Sequence, residues 1–120
     1  MRREVLLLEE MIDAAEEAHR LVEGVTATEL AGDRLRRDAL LWNFTVLGEA
    51  AAQLPGEIKR RFPEVPWQLP SRLRNRIVHG YWSIDLDVLH TTAQFQLPDF
   101  VAEVSRVLAS ITAQDDDGPA

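Results

Sequence analysis

Apolar residues recur every three or four positions along most of the chain, which is the period of an amphipathic helix. The first such stripe runs over residues 3–23 and comprises Val5, Leu8, Ile12, Ala15, His19 and Val22. Gly24 predicts the end of this helix, and Thr26-Ala27-Thr28-Glu29 has the spacing of a capping box that opens a short helical turn. Because His19 lies on the apolar stripe, we interpret it as a core or interface residue.

A second long helix is predicted to begin after Asp33, whose side chain suits the N-cap position. Its buried side comprises Leu40 or Leu41, Phe44, Leu47, Ala51 and Leu54, and Pro55-Gly56 ends it. Arg34, Arg36 and Arg37 occupy the first turn, where the helix dipole disfavours cations. They are therefore either solvated or used to bind an acidic partner surface or RNA.

The rest of the chain predicts further helices. Residues 57–62 form a short one, and after Asp85, a second candidate N-cap, an apolar stripe comprises Leu86, Leu89, Ala93 and Leu97. Pro98 predicts a kink or a fresh start before the last helix. Since neither strand-like alternation nor a repeat occurs, the sequence predicts an all-α up-and-down bundle of four to five helices over residues 1–112, followed by a disordered acidic tail over 113–120.

Composition excludes several classes of protein. The 120 residues contain no cysteine, so neither a disulfide framework nor a thiolate metal site is expected. No apolar run has the length of a membrane span, and Met1-Arg2-Arg3-Glu4 leads into an amphipathic pattern unlike a signal peptide, so we expect a cytoplasmic protein without membrane contact. Asp85 and Asp87 could hold a magnesium ion, but helix capping explains them more simply, and no metal or cofactor is expected.

The net charge of −7 argues against general affinity for nucleic acid. The charge is nevertheless uneven. Between Gly56 and His79 six lysines and arginines stand against two glutamates, a local surplus of four positive charges, while the acids concentrate in the first helix and the tail. A basic strip on an acidic body is compatible with a selective nucleic-acid substrate, although such a strip can equally be a solvated surface.

The densest set of chemically active side chains lies in the segment LRNRIVHGYW, which begins at Leu73. Leu73 and Ile77 share one helical stripe, which gives the segment a buried side. Because Gly80 is a usual place for a helix to stop, we expect His79 and Tyr81 at the helix end, where side chains reach outward. Trp67 and Trp82, which bracket the helix predicted for this segment, are interpreted as anchors of a core or dimer surface.

These side chains resemble the set used for metal-free RNA cleavage. A histidine can move the proton of the ribose 2′-OH, and the planar fork of an arginine can stabilise the charge on the phosphate. The reaction requires an acid and a base, and the segment holds one histidine, so a two-fold dimer would have to supply the second. The alternative interpretation is a solvated basic helix whose histidine is favoured by the helix dipole.

Arg74-Asn75, three residues, then His79-Gly80-Tyr81 resembles the Arg-(four residues)-His-x-Tyr motif of HEPN-domain proteins, specifically the HepT-like toxins of MNT–HEPN toxin–antitoxin pairs. The resemblance extends from residue 1 to about residue 111. Further matching positions are Met1-Arg2-Arg3, Asn43, Gly48-Glu49-Ala50-Ala51, Phe62-Pro63-Glu64-Val65-Pro66-Trp67 and Ile84-Asp85. Leu69-Pro70-Ser71-Arg72 departs from the family, which continues there as unbroken helix, so the motif helix is predicted to begin at Pro70 rather than Trp67.

The resemblance implies a homodimeric, metal-independent endoribonuclease without a cofactor. Arg74 would stabilise charge, and His79 would act as acid and base. Asn75 would orient the motif, and Arg76 would help to hold the phosphate backbone. The remaining supporting residues, which would face the cleft, are Asn43 and Glu49; by position alone these two polar residues could equally be exposed neighbours of the core.

The resemblance also implies a partner, a minimal nucleotidyltransferase antitoxin that silences the toxin by transferring AMP to Tyr81. The added bulk and negative charge beside the arginine and histidine would obstruct the phosphate pocket. Tyr81 could instead be a structural hydroxyl that fixes the helix end. The rival hypothesis for the whole protein is a helical adaptor that presents RNA or nucleotide to the transferase, or only dimerises with it, and cleaves nothing.

Overall fold

The computed structural model describes residues 2–80 and 85–116, and these residues form helices joined by short turns. In chain order the elements are α1 (Arg3–Val22), α2 (Ala27–Gly32), α3 (Arg34–Gln53), α4 (Gly56–Arg61), α5 (Gln68–Gly80), α6 (Leu86–Thr91), a π-helical segment (Thr92–Gln96) and α7 (Leu97–Asp116). The predicted all-α class is confirmed. The four to five predicted helices correspond to the four long ones, α1, α3, α5 and α7, with three short helices between them.

Local side-chain chemistry sets the helix ends as predicted. Gly24 takes a φ of 68°, the left-handed conformation that glycine adopts without strain, and thereby ends the turn after α1. The Thr26 hydroxyl accepts from the Glu29 amide at 3.1 Å, while the Glu29 carboxylate accepts from the Thr26 amide at 3.3 Å. Asp33 likewise accepts from the Arg36 amide at 3.1 Å, so the predicted caps of α2 and α3 are both confirmed.

The core lies where α1 packs against α3 and α7, and where α3 in turn packs against α5. The largest fully buried side chains are Leu8, Met11, Val22, Leu30, Leu40, Phe44, Leu47, Leu89, Leu97, Phe100, Val104 and Ile111. Trp67 is also buried and donates its indole N–H to the carbonyl oxygen of Phe62 at 2.9 Å, as expected of a core anchor. Trp82 lies outside the described residues.

Two histidines join separate parts of the bundle. His19 is half-buried: its Nδ1 lies 3.0 Å from the carbonyl oxygen of Ala93, and its Nε2 lies 3.3 Å from the Glu23 carboxylate. His90 on α6 contacts the carbonyl oxygen of Val25. Both imidazoles therefore serve the packing of α1 and its following turn on the α6 region, as predicted for His19.

The predicted interruption near Pro98 is confirmed, and it takes the form of the π-helical segment. Asp85 caps α6 by accepting from the amides of Asp87 at 3.0 Å and Val88 at 3.3 Å. Pro98 is the second residue of α7 and follows the π segment directly. At the end of that segment the Leu97 amide donates to the carbonyl oxygen of Thr92, five residues earlier, which is the wider π pattern.

Two predicted boundaries differ from the structure. α5 begins at Gln68, not at Pro70, because a proline in the first helical turn replaces an amide that has no intrahelical acceptor anyway. α7 continues to Asp116, so residues 113–116 of the predicted disordered tail are helical, and residues 117–120 lie outside the described part. None of the described helices is both long enough and apolar enough to cross a membrane.

Candidate active site on α5

The motif helix α5 crosses α3 at unusually close range. Gly48 of α3 is buried, and a Cβ placed on it would lie 2.4 Å from Arg74 Cβ and 2.8 Å from the carbonyl oxygen of Pro70. Only glycine admits this approach of two helices. Leu73 and Ile77 form the buried side of α5, as the sequence predicts. The distance between α5 and the core therefore also determines the position of the Arg74 side chain.

The guanidinium of Arg74 is held by two neighbours. Its Nη1 donates to Glu49 Oε2 at 2.6 Å, and its Nη2 donates to Asn75 Oδ1 at 3.3 Å. The Arg74 side chain is 29% exposed, compared with 55% for Glu49. Its Nε is buried and has no hydrogen-bond partner among the described residues. Arginine carries five N–H donors, so this fixed guanidinium keeps donors for an anion besides Glu49.

The other predicted site residues divide into two groups. Asn75 and Arg76 are exposed on α5, and Arg76 has no carboxylate within ion-pair distance in the described part of the chain. Asn43 instead donates its amide to the carbonyl oxygen of Ala39 at 2.8 Å, one turn earlier in its own helix. Thus the structure brings Glu49 to the motif arginine, whereas the described contact of Asn43 is internal to α3.

His79 is the penultimate residue of α5, so the expectation that it lies at a helix end is confirmed for its backbone. Its side chain and all of Tyr81 lie outside what the structure describes.

The arginines that open α3 are ion-paired within the chain: Arg34 and Arg37 lie 3.4 and 3.6 Å from Asp38, and Arg36 lies 3.4 Å from Asp33. These aspartates explain why three arginines occur in the first turn of α3, so no external anionic partner is needed to explain them.

Two adjoining grooves run along the exposed side of α5. The larger, about 1050 Å³, lies between the α4–α5 region and α7, and the smaller, about 630 Å³, lies between α5 and the α6–π region. Asn75 and Arg72 line both. No sequence pattern indicated that α7 contributes to a groove, whereas the surplus of cations over residues 56–79 did indicate the opposite wall. Among the described residues, no three histidines or acids cluster as metal ligands.

The helices formed by the described residues are consistent with the helical fold of the HEPN superfamily. The chain belongs to the family described as ribonuclease HepT-like, whose family model matches residues 11–107.

Several curated proteins resemble the chain over most of its length. The protein named "Probable ribonuclease HepT" from Thermococcus cleftensis is 25% identical over 100 residues, 83% of this chain and 91% of its own. A candidate RNase from Methanocaldococcus jannaschii is 26% identical over 92 residues, covering 77% of this chain and 76% of its own. Another from Caldanaerobacter subterraneus is 23% identical over 101 residues, 84% and 90% of the two chains. No solved structure matches the chain.

Proposed function

We propose that this protein is a metal-independent endoribonuclease, the toxin of a toxin–antitoxin pair, that works in the cytoplasm as a homodimer. The observation that carries the proposal is the 2.6 Å contact that holds the Arg74 guanidinium on Glu49, on the same helix that carries His79. A prearranged guanidinium is what phosphoryl transfer requires when no metal stabilises the charge. Membership of a ribonuclease family and the names of the relatives support the same chemistry.

The proposed reaction is an internal transesterification. The ribose 2′-oxygen attacks the adjacent phosphorus, the new P–O2′ bond forms, and the P–O5′ bond breaks. One His79 imidazole takes the 2′-OH proton, and a protonated imidazole gives a proton to the leaving 5′-oxygen. Arg74 stabilises the negative charge that grows on the non-bridging oxygens. The products are a 2′,3′-cyclic phosphate and a 5′-hydroxyl, and no metal ion is needed to balance the step.

Helix geometry supports a shared site between two copies. Positions 74 and 79 are five residues apart in α5, which separates them by about 140° around the helix axis and about 7.5 Å along it. One RNA phosphate can contact both positions more easily when position 74 comes from one copy and position 79 from the other, across a two-fold axis, than when both come from one chain. A dimer with α5 of each copy at the axis supplies two histidines, one for each proton transfer.

The test is cleavage of a defined RNA by the purified protein, with end-group analysis of the products. We expect wild type to leave 2′,3′-cyclic phosphates, and Arg74→Ala and His79→Ala to lose at least about a hundredfold in rate. Arg106→Ala, which removes an exposed arginine of α7, is the matched control and should cleave normally. If wild type and both motif variants leave RNA equally intact, the adaptor hypothesis replaces the ribonuclease.

We further propose that a cognate nucleotidyltransferase neutralises the toxin by transferring AMP to Tyr81. The phosphate of the adduct would pair with the basic motif and exclude RNA from it. Intact-mass and peptide mass spectrometry after co-expression with the transferase and ATP should find adenylate on Tyr81, and Tyr81→Phe should escape both modification and silencing. Adenylate on a different residue would contradict this switch without affecting the ribonuclease assignment.

A further inference from the structure

We propose that the larger groove, between the α4–α5 region and α7, binds the single-stranded RNA that continues from the cleavage site. This inference rests on the proposed ribonuclease function and adds a substrate-binding site outside the motif. The groove adjoins the motif directly, because Asn75 both lines it and accepts the hydrogen bond from Arg74 Nη2 at 3.3 Å. A strand whose phosphate lies at Arg74 can therefore continue into the groove past Asn75.

One wall of this groove carries cations without carboxylate partners. Lys59 and Arg60 of α4 and Arg72 of α5 line it, and within the described residues none of them has an acid within 4 Å. Among the described residues, Arg72 donates to the neutral Gln68 amide oxygen, at 3.2 Å. The arginines at the start of α3, by contrast, all pair with aspartates. In a chain of net charge −7, unneutralised cations along one wall are a phosphate-binding feature.

The opposite wall carries acids that suit base edges rather than phosphates. Asp99 and Glu103 are four residues apart on α7, so they share a helical face, and both line the groove. Within the described residues neither has an ion-pair partner. Carboxylates accept hydrogen bonds from the amino groups of cytosine, adenine and guanine, and uracil has no such group. Opposed cationic and anionic walls therefore match a strand whose phosphates face α4 and whose bases face α7.

The dimensions and the charge pattern favour RNA over a protein segment. About 1050 Å³ is the volume of sites that enclose whole drug-sized ligands, which leaves room for nucleotide units. An acidic peptide would be attracted by Lys59 and Arg60 but repelled by Asp99 and Glu103 across the groove. Nucleotides carry their negative charge only on the backbone and present N–H donors on the other side, so they satisfy both walls.

The test measures binding separately from cleavage. A fluorescent 2′-O-methyl oligonucleotide cannot undergo 2′-OH attack, so its anisotropy reports binding alone. We expect Arg60→Glu to weaken binding about tenfold at low salt and to flatten its salt dependence. Arg61→Glu is the matched control: the same charge reversal on the neighbouring residue, whose guanidinium stacks 5.1 Å from the Phe62 ring and does not line the groove. It should bind within about twofold of wild type.

Base preference gives a second readout. Wild type should bind oligo(C) more tightly than oligo(U), and Asp99→Asn combined with Glu103→Gln should reduce that difference while leaving thermal stability unchanged. Equal losses for Arg60→Glu and Arg61→Glu, or tighter binding of a poly-glutamate peptide than of RNA, would overturn the groove assignment. If RNA is cut but Arg60→Glu binds normally, only the groove fails. If groove variants lose binding to RNA that wild type never cuts, only the ribonuclease fails.

Discussion

Replacing Gly48 by alanine tests directly whether the close crossing of α3 and α5 positions the motif arginine. The new Cβ would lie 2.4 Å from Arg74 Cβ, 2.8 Å from the Pro70 carbonyl oxygen and 3.2 Å from Arg74 Cγ. Carbon atoms in favourable contact are about 3.5–4.0 Å apart. Both close atoms are fixed to the α5 backbone, so rotation of a flexible side chain cannot relieve them, and α5 has to move away by roughly 1 Å.

The expected loss of stability is moderate because two effects oppose each other. Overpacking of this kind costs about 1–3 kcal/mol, whereas alanine is about 1 kcal/mol better than glycine inside a helix. We expect Gly48→Ala to lower the free energy of unfolding by at most about 2 kcal/mol, measured by urea denaturation. The protein should therefore remain folded at ordinary temperatures, so that its activity can be measured.

The expected loss of activity is larger than the loss of stability. A displacement of roughly 1 Å lengthens the 2.6 Å contact between Arg74 and Glu49 beyond hydrogen-bond range, so the guanidinium no longer has a fixed direction. Misplacement of a catalytic group by this distance can reduce rate about a hundredfold. Cleavage of a defined RNA should fall by that order in the Gly48→Ala protein, under conditions where circular dichroism shows it fully folded.

Gly32→Ala is the matched control, because a Cβ at that last residue of α2 would meet no atom within 4 Å. It should change neither stability nor cleavage measurably. The reasoning is refuted if Gly48→Ala cleaves RNA at the wild-type rate, since the crossing then does not position Arg74. It is refuted equally if Gly32→Ala causes the same loss, because the effect would then not depend on the space at residue 48.

Three further predictions concern the cap, the ion pair and the dimer. Thr26→Ala removes the capping box on α2 and should lower the free energy of unfolding by about 1 kcal/mol without changing cleavage; an effect on cleavage alone would contradict it. Glu49→Gln keeps an acceptor for Arg74 but removes the charge, so we expect about a tenfold slower cleavage at nearly unchanged stability, and a faster variant would show that Glu49 restrains the arginine. When wild type and His79→Ala are mixed one to one with subunit exchange, a site that needs both histidines should retain about a quarter of the activity, whereas independent sites would retain about half.

The parts of the fold that sequence predicted depend on residues close together in the chain. The capping contacts of Thr26 and Asp33 each reach three residues forward, so residue type and spacing determine them without knowledge of the tertiary structure. The apolar stripes predicted most of the buried positions of α1 and α3 for the same reason. The start of α5 was predicted two residues late, because proline was read as excluding helix before it, although the first turn tolerates it.

The parts that sequence did not predict depend on contacts between distant residues. Glu49 and Arg74 are 25 positions apart, and their pairing was not predicted, since the family resemblance implied only that Glu49 would face the cleft. Residue 48 has to be glycine because α5 packs so closely against it, and α5 is distant in sequence. A glycine in the interior of a long helix, away from its ends, does by itself indicate close backbone packing. The acidic wall of the groove also escaped prediction, because periodicity places Asp99 and Glu103 on one face of α7 without saying which helix that face meets.

The net charge of the chain does not indicate whether its surface can bind RNA. The value of −7 counts every ionised group equally, but arginines differ in how far a carboxylate occupies them. Arg20 directs both its Nε and its Nη2 to Glu17, at 3.1 and 2.7 Å, whereas Arg74 gives Nη1 to Glu49 and keeps other donors for a phosphate. What an approaching RNA strand meets at short range is the set of cations that no carboxylate neutralises, because screening limits the range of the remaining charge to about 10 Å in ordinary salt. Within the described residues those cations include Lys59 and Arg60 beside the motif helix, so an acidic chain can still present a basic surface where its proposed substrate binds.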